Sequence, residues 1–262
     1  MKQKKRIALF GMVAVALILT ACNGDSGNNS SESEEDSSSS VEIFSSSEQI
    51  NSSSVVKSSS SLSGISSSSS IEYGTFTYEG QTYKTVVIGT QTWMAENLNY
   101  AVDSSWCYND STKYCEKYGR LYQWASAMGL SATYNSTSAS DVIFTSQQGV
   151  CPVGWHIPTN AEWTILENAV GGEDVAGTAL KSTSGWNEDG NGTDAYGFAA
   201  LPAGTRNDGN FYDVGNSAHF WSATEYDTDF VYNRYLFYSD ANLNTLNNFK
   251  DLAFSVRCLK DK

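Results

Sequence analysis

The stretch from Cys151 to Trp163 constrains the fold more than any other, and it reads Cys-Pro-Val-Gly-Trp-His-Ile-Pro-Thr-Asn-Ala-Glu-Trp. Thr159, just after Pro158, suits a helix N-cap, and Glu162 three residues later completes a capping box. In that arrangement the hydroxyl and the carboxylate each satisfy a backbone N–H that the first helical turn leaves without a partner. Trp163, Leu166 and Val170 then recur at helical spacing. Gly171-Gly172 ends the run, because glycine takes a left-handed C-terminal turn without a Cβ clash. A cysteine, a turn and a buried helix are thereby joined in one piece.

The beginning of the chain reads as delivery. Lys2, Lys4, Lys5 and Arg6 form a basic start, and Ile7 to Leu19 is apolar but shorter than the roughly 20 residues of a bilayer-spanning helix. The following Leu19-Thr20-Ala21-Cys22 resembles the lipobox of bacterial lipoproteins. That resemblance implies a signal peptide over 1–21, acylation (palmitate) at Cys22, and, because residue 23 is Asn rather than Asp, export to the outer membrane and exposure at the cell surface. The alternative is a simple secreted protein in which Cys22 stands there by chance. Residues 22–70 form the lipidated cysteine and a linker dominated by serine, with a few acidic residues such as Glu34 and Asp36. Too little apolar surface is present to offset an ordering cost of about 1–2 kcal/mol per residue, so this segment is expected to stay a solvated, disordered tether. The 48 residues after Cys22 would reach about 40 Å. Serine tracts also serve as glycosylated stalks.

Charge narrows the partners. With the signal removed, twelve basic residues face twenty-nine acidic ones, a net charge of −17, so nucleic acid is excluded as a natural partner. An acidic exterior fits cations, neutral glycans or plain solubility equally well. Of the 33 aromatic residues only Phe10 and Phe44 fall outside 71–262, which makes that stretch one aromatic-rich domain able to bury a core.

Four cysteines remain beside Cys22, and an even number in an exported domain argues for disulfides. Three pairings are open; Cys107 with Cys115 and Cys151 with Cys258 is the preferred one. A metal site has less support, since no Cys-x-x-Cys pair exists and His156 and His219 are far apart.

Within the domain, Thr75 to Met94 alternates like an antiparallel meander, with Gly89-Thr90 suited to a type II′ hairpin. Leu121, Trp124, Ala125 and Met128 predict an amphipathic helix over 118–128, stopped by Gly129. Residues 131–146 read as loop, followed by the capped helix, then a long glycine-rich irregular region to Ala218. Strands are expected at 220–224, 231–238, 245–249 and 253–259, returning to the first ones.

Five ordered motifs carry a further resemblance: Tyr-Gly-Arg-Leu-Tyr-Gln-Trp at 118–124, the 151–163 stretch, Gly-Thr-Asp-Ala-Tyr-Gly-Phe-Ala-Ala-Leu-Pro-Ala-Gly at 192–204, Phe-Trp-Ser-Ala-Thr-Glu at 220–225 and Ser-Val-Arg-Cys-Leu at 255–259. Together they resemble the Fibrobacter succinogenes major paralogous domain. That family is itself similar to the formylglycine-generating enzyme and C-type lectin folds. The resemblance implies an α+β, C-type-lectin-like domain over 71–262, in which two helices flank a small twisted antiparallel sheet and a long loop region carries the ligand site.

Two kinds of ligand chemistry follow. Asp189, Asn191 and Asp194 lie in a run of carboxylates, amides and glycines that can wrap a hard cation such as calcium, although the same residues are ordinary in turns. Trp186, Tyr196, Tyr212 and Trp221 could stack on sugar faces or fill the core instead. Catalysis has less support. Cys258 stands alone where formylglycine-generating enzymes use a cysteine pair. Glu162, which with Glu225 is the paired carboxylate on paper, is better explained as a helix cap, and His156 and His219 have no identifiable nucleophile. The expectation is a non-catalytic surface lipoprotein, membrane-held by its lipid, that binds polysaccharide; the alternatives are a structural or protein-interaction component binding another surface protein, and a divergent formylglycine-generating-like enzyme.

Overall fold

The computed structural model describes residues 70–143 and 146–262. The expected signal peptide, Cys22 and the serine-rich linker up to residue 69 lie outside the described residues. The chain starts with a meander of β1 (Tyr73–Tyr78), β2 (Gln81–Ile88) and β3 (Gln91–Met94). Gly89 turns β2 into β3 at φ 59, as the type II′ reading requires, and a Cβ there would sit 3.0 Å from that of Ala169. Next come β4 (Ser105–Trp106), α1 (Thr112–Tyr118), β5 (Leu121–Gln123) and a one-turn α2 (Trp124–Ala127). The middle holds β6 (Trp155–His156), α3 (Asn160–Ala169) and α4 (Glu173–Leu180). The chain closes with β7 (Thr205–Asn207), β8 (Asn210–Tyr212), β9 (Ser217–Glu225), β10 (Phe230–Phe237), β11 (Asn244–Phe249), β12 (Ala253–Phe254) and β13 (Leu259–Lys260).

Three sheets result, in the orders β1-β2-β3-β13-β6, β11-β10-β9 and β4-β5-β12-β7-β8. The fold is α+β, with antiparallel strand pairing, and the last strand returns to the meander through Leu259 opposite Trp93. Among the described residues no helix is long and apolar enough to cross a membrane.

The capped helix forms as its sequence dictates. Thr159 accepts a hydrogen bond from the Glu162 N–H, Glu162 accepts from the Thr159 N–H, and Trp163, Leu166 and Val170 are buried. Trp163 meets Trp93 at 4.7 Å and Phe220 at 5.7 Å between ring centroids, which locks α3 onto β3 and β9. Replacing such a Trp by Ala costs about 3–5 kcal/mol. A second cluster packs Tyr122, Trp124, Trp221 and Phe254 around Cys151 and Cys258. A third surrounds Tyr108, Tyr118 and Leu121. Both preferred disulfides are present, Cys107–Cys115 and Cys151–Cys258.

Three expectations are corrected. The helix over 118–128 is instead the end of α1, the strand β5 and the short α2. Gly119, at φ 72, ends α1, and a Cβ there would come within 2.7 Å of Asn97, so glycine alone fits the position. Leu121, Trp124, Ala125 and Met128 are all buried, but by strand pairing to β4 and β12 followed by a single turn. The region after Gly172 is not irregular throughout: it opens with α4, capped by Gly172, and contains the β7–β8 hairpin. The last expected strand is broken into β12 and β13.

Candidate functional site

The residues best placed for catalysis by type are held in structural roles. One Glu162 oxygen serves the Thr159 cap and the other lies 3.1 Å from His156 Nε2. His156 Nδ1 lies 2.6 Å from Asp261, so this imidazole joins the start of α3 to the C-terminal segment. Burial pushes the His156 pKa down, but the bonds to Glu162 and Asp261 outweigh it and the net shift is upward. Glu225 accepts from buried Lys250, from the Ala139 N–H at 2.8 Å and from the Ser138 hydroxyl at 3.0 Å. His219 stacks 4.4 Å from Phe254 and 4.7 Å from Tyr235, and burial pushes its pKa down to about 3, which keeps it neutral. Each of these groups thus has partners within the fold.

Two of the expected calcium ligands, Asn191 and Asp194, accept backbone N–H groups of their own loop. Asn191 Oδ1 accepts the Trp186 N–H at 3.1 Å and Asp194 Oδ1 accepts the Ala199 N–H at 2.7 Å; exposed Asp189 sits in a turn at φ 59. Among the described residues no group of three or more His, Cys, Asp or Glu is arranged to hold a metal. Lys181 Nζ donates to the carbonyls of Phe237, Tyr238 and Asp240 at 3.1, 3.1 and 2.8 Å and lies over the Trp186 ring.

The four candidate sugar platforms separate. Trp221 is 0% exposed and donates to the Tyr122 carbonyl, and Trp186 is 5% exposed and donates to Ala200 O. Both are corrected from platform to core, because an indole that is buried and hydrogen-bonded offers no face to a ligand. Tyr196 and Tyr212 are exposed. Tyr212 lines a shallow cavity of about 550 Å³ with Asn109, Asn210 and Phe211, while Tyr196 lines another with Tyr73 and Val87.

Sequence reasoning passed over the groove with the most suitable lining. A cleft of about 610 Å³ is lined by Tyr78 and Tyr100 together with Gln123, Ser126 and Asn135. The two tyrosine rings are 5.1 Å apart. The lining amides are braced: Asn135 donates to Gln123 Oε1 at 3.2 Å and accepts from the Ala125 N–H, and Gln123 donates to Asp251 O. The only sequence signal was the polar side of the mistaken 118–128 helix, where Gln123 and Ser126 fall.

Buried Arg257 was also missed. Its guanidinium bonds Asn97 Oδ1 at 2.6 Å and the carbonyls of Met94, Phe198 and Ala199, and it stacks 4.5 Å from Phe198. Burial drives its pKa down to about 9. It ties the C-terminal segment to β3 and to the loop that precedes β7.

Compared with known proteins, residues 86–260 match a family model described as the Fibrobacter succinogenes major domain. No curated protein and no solved structure matches.

Proposed function

Because the chain belongs to the Fibrobacter succinogenes major domain family, we propose that it is a lipid-anchored surface protein whose folded domain binds polysaccharide without transforming it. The observation that carries this reading is the Tyr78–Tyr100 cleft, whose lining combines two aromatic rings with amides and hydroxyls. Sugar rings present CH faces and a rim of hydroxyls, and such a groove matches both. Its braced amides keep the ordering cost of binding low. The catalytic residue types are engaged elsewhere, which favours binding over turnover.

The same reading takes the α+β domain as C-type-lectin-like, on the strength of its helices, its small antiparallel sheets and the long segment between α4 and β9. It also places Cys22 as the acylated residue that holds the protein at the outer membrane.

The test is depletion of the full-length chain from solution by insoluble polysaccharides, with release of soluble sugar followed in parallel. The reading expects retention with no sugar released, and weaker retention for Tyr100→Ala. Release of soluble sugar, or absence of retention from a folded protein, would contradict it.

A further inference from the structure

The hairpin of β9 and β10, extended by β11, carries rings that the core does not use. Phe230 stands directly opposite Phe249 in register, with ring centroids 4.3 Å apart. Tyr232, two residues along the same face, stands opposite Asn247, and its ring meets that of Tyr226 edge-on at 5.4 Å. Tyr226 is 54% exposed and Phe249 42%; Phe230 and Tyr232 are half-buried. Among the described residues none of the four belongs to the three buried clusters. They pack chiefly on one another.

Their presentation is built rather than incidental. The register with β9 shifts between Val231, opposite Glu225, and Asn233, opposite Trp221, so the extra residues lie on β9 across from Tyr232, which itself keeps its register with Asn247 on β11. Asp227 Oδ1 accepts the N–H groups of Asp229 and Phe230 at 2.9 and 2.8 Å and so fixes the turn. Further along the same face, buried Arg234 bonds Asn160 and Thr164 of α3 and anchors the strand beneath.

We infer that Tyr226, Phe230, Tyr232 and Phe249 form a second binding surface, a ring platform for a neutral polysaccharide chain, with the Asn247 amide reaching its hydroxyls. This rests on the polysaccharide reading above and adds a site to it. The chemistry selects the occupant. Contiguous exposed rings mark an interaction surface, and rings interleaved with an amide suit a polymer of CH faces and hydroxyls. The charged side chains of the adjoining turn, Asp227 and Asp229, are acidic, which disfavours a polyanionic glycan.

The experiment measures depletion of the full-length chain by microcrystalline cellulose, chitin and mannan, with polygalacturonate as the polyanionic control. Two variants are compared with the parent, Tyr226→Ala/Phe249→Ala and, as a change that keeps every ring, Asn247→Asp. The inference expects retention on a neutral polymer that both variants weaken about tenfold while their thermal unfolding stays that of the parent. If the parent is retained and both variants bind equally well, the platform is wrong and the cleft alone carries the polysaccharide reading. If the parent is retained on none of the polymers, the underlying reading falls and this inference with it. If sedimentation shows a dimer that the double variant dissociates, the rings are a protein interface and the inference is overturned.

Discussion

Two regions of the domain use aromatic and charged residues in opposite ways. In the segment 151–163 and its partner 255–259, Trp163, Glu162, His156, Arg257 and Cys258 each have partners inside the fold. In the 226–249 hairpin, Tyr226 and Phe249 pair with neighbouring rings and remain open to solvent. The segments that announce themselves in sequence therefore build the interior, and the less distinctive hairpin presents the surface. Ligand chemistry is better sought where residues have surplus capacity than where motifs are densest.

The contrast can be broken from the interior side first. Cys151→Ser opens a link between residues 107 apart in sequence, and a closed loop of about 100 residues is worth about 4.7 kcal/mol in the chain-entropy model. Cys115→Ser opens a link of separation 8 and should cost about 2.5 kcal/mol by the same relation. Denaturant unfolding of the two variants checks the order. Lys250→Ala leaves Glu225 without its buried partner and should cost about 3–5 kcal/mol, since Lys250 is fully buried. An effect below about 1 kcal/mol would mean that this bridge does not hold the base of the hairpin.

The His156 bridge should appear as a pH dependence. Its folded pKa is raised above 6.5, so its contribution is complete below 6.5 and is lost as pH rises through the folded value. Glu162 is shifted the other way. Although burial raises its pKa, the bonds from His156 and Thr159 lower it below 4.5 overall, so its contribution is present above 4.5 and is lost on acidification. Melting temperature should therefore fall as pH rises from 6.5, and His156→Gln should flatten that limb; an unchanged slope would remove the bridge from the account. The smallest effect belongs to the surface region. Phe249→Ala should change stability by no more than about 0.5 kcal/mol, as measured by urea unfolding, because its ring is exposed and outside the core.

What could be read in advance follows the range of the interactions. The capping box at Thr159 and the turn at Gly89 are local, and both formed as their residues require. The cysteine pairing was legible because few combinations existed. The 118–128 periodicity misled because a buried strand followed by one helical turn places the same four residues inside, and the pairing of β5 with β4 and β12 that makes the strand is a tertiary contact. Trp186 and Trp221 could be read as platform or core, with core the stronger reading and Trp221 the first to be buried, and packing from distant strands buries both. The three carbonyls around Lys181 come from residues 56 to 59 positions later, which no local pattern announces.

Hydrogen-exchange mass spectrometry of the full-length chain, with and without a soluble oligosaccharide of whichever polymer retains it, tests most directly the claim that the hairpin surface binds while the motif segments build the interior. The account predicts added protection in peptides covering 226–249 and none in those covering 151–163 and 255–259. Protection in 151–163 or 255–259, with the hairpin unchanged, would contradict it.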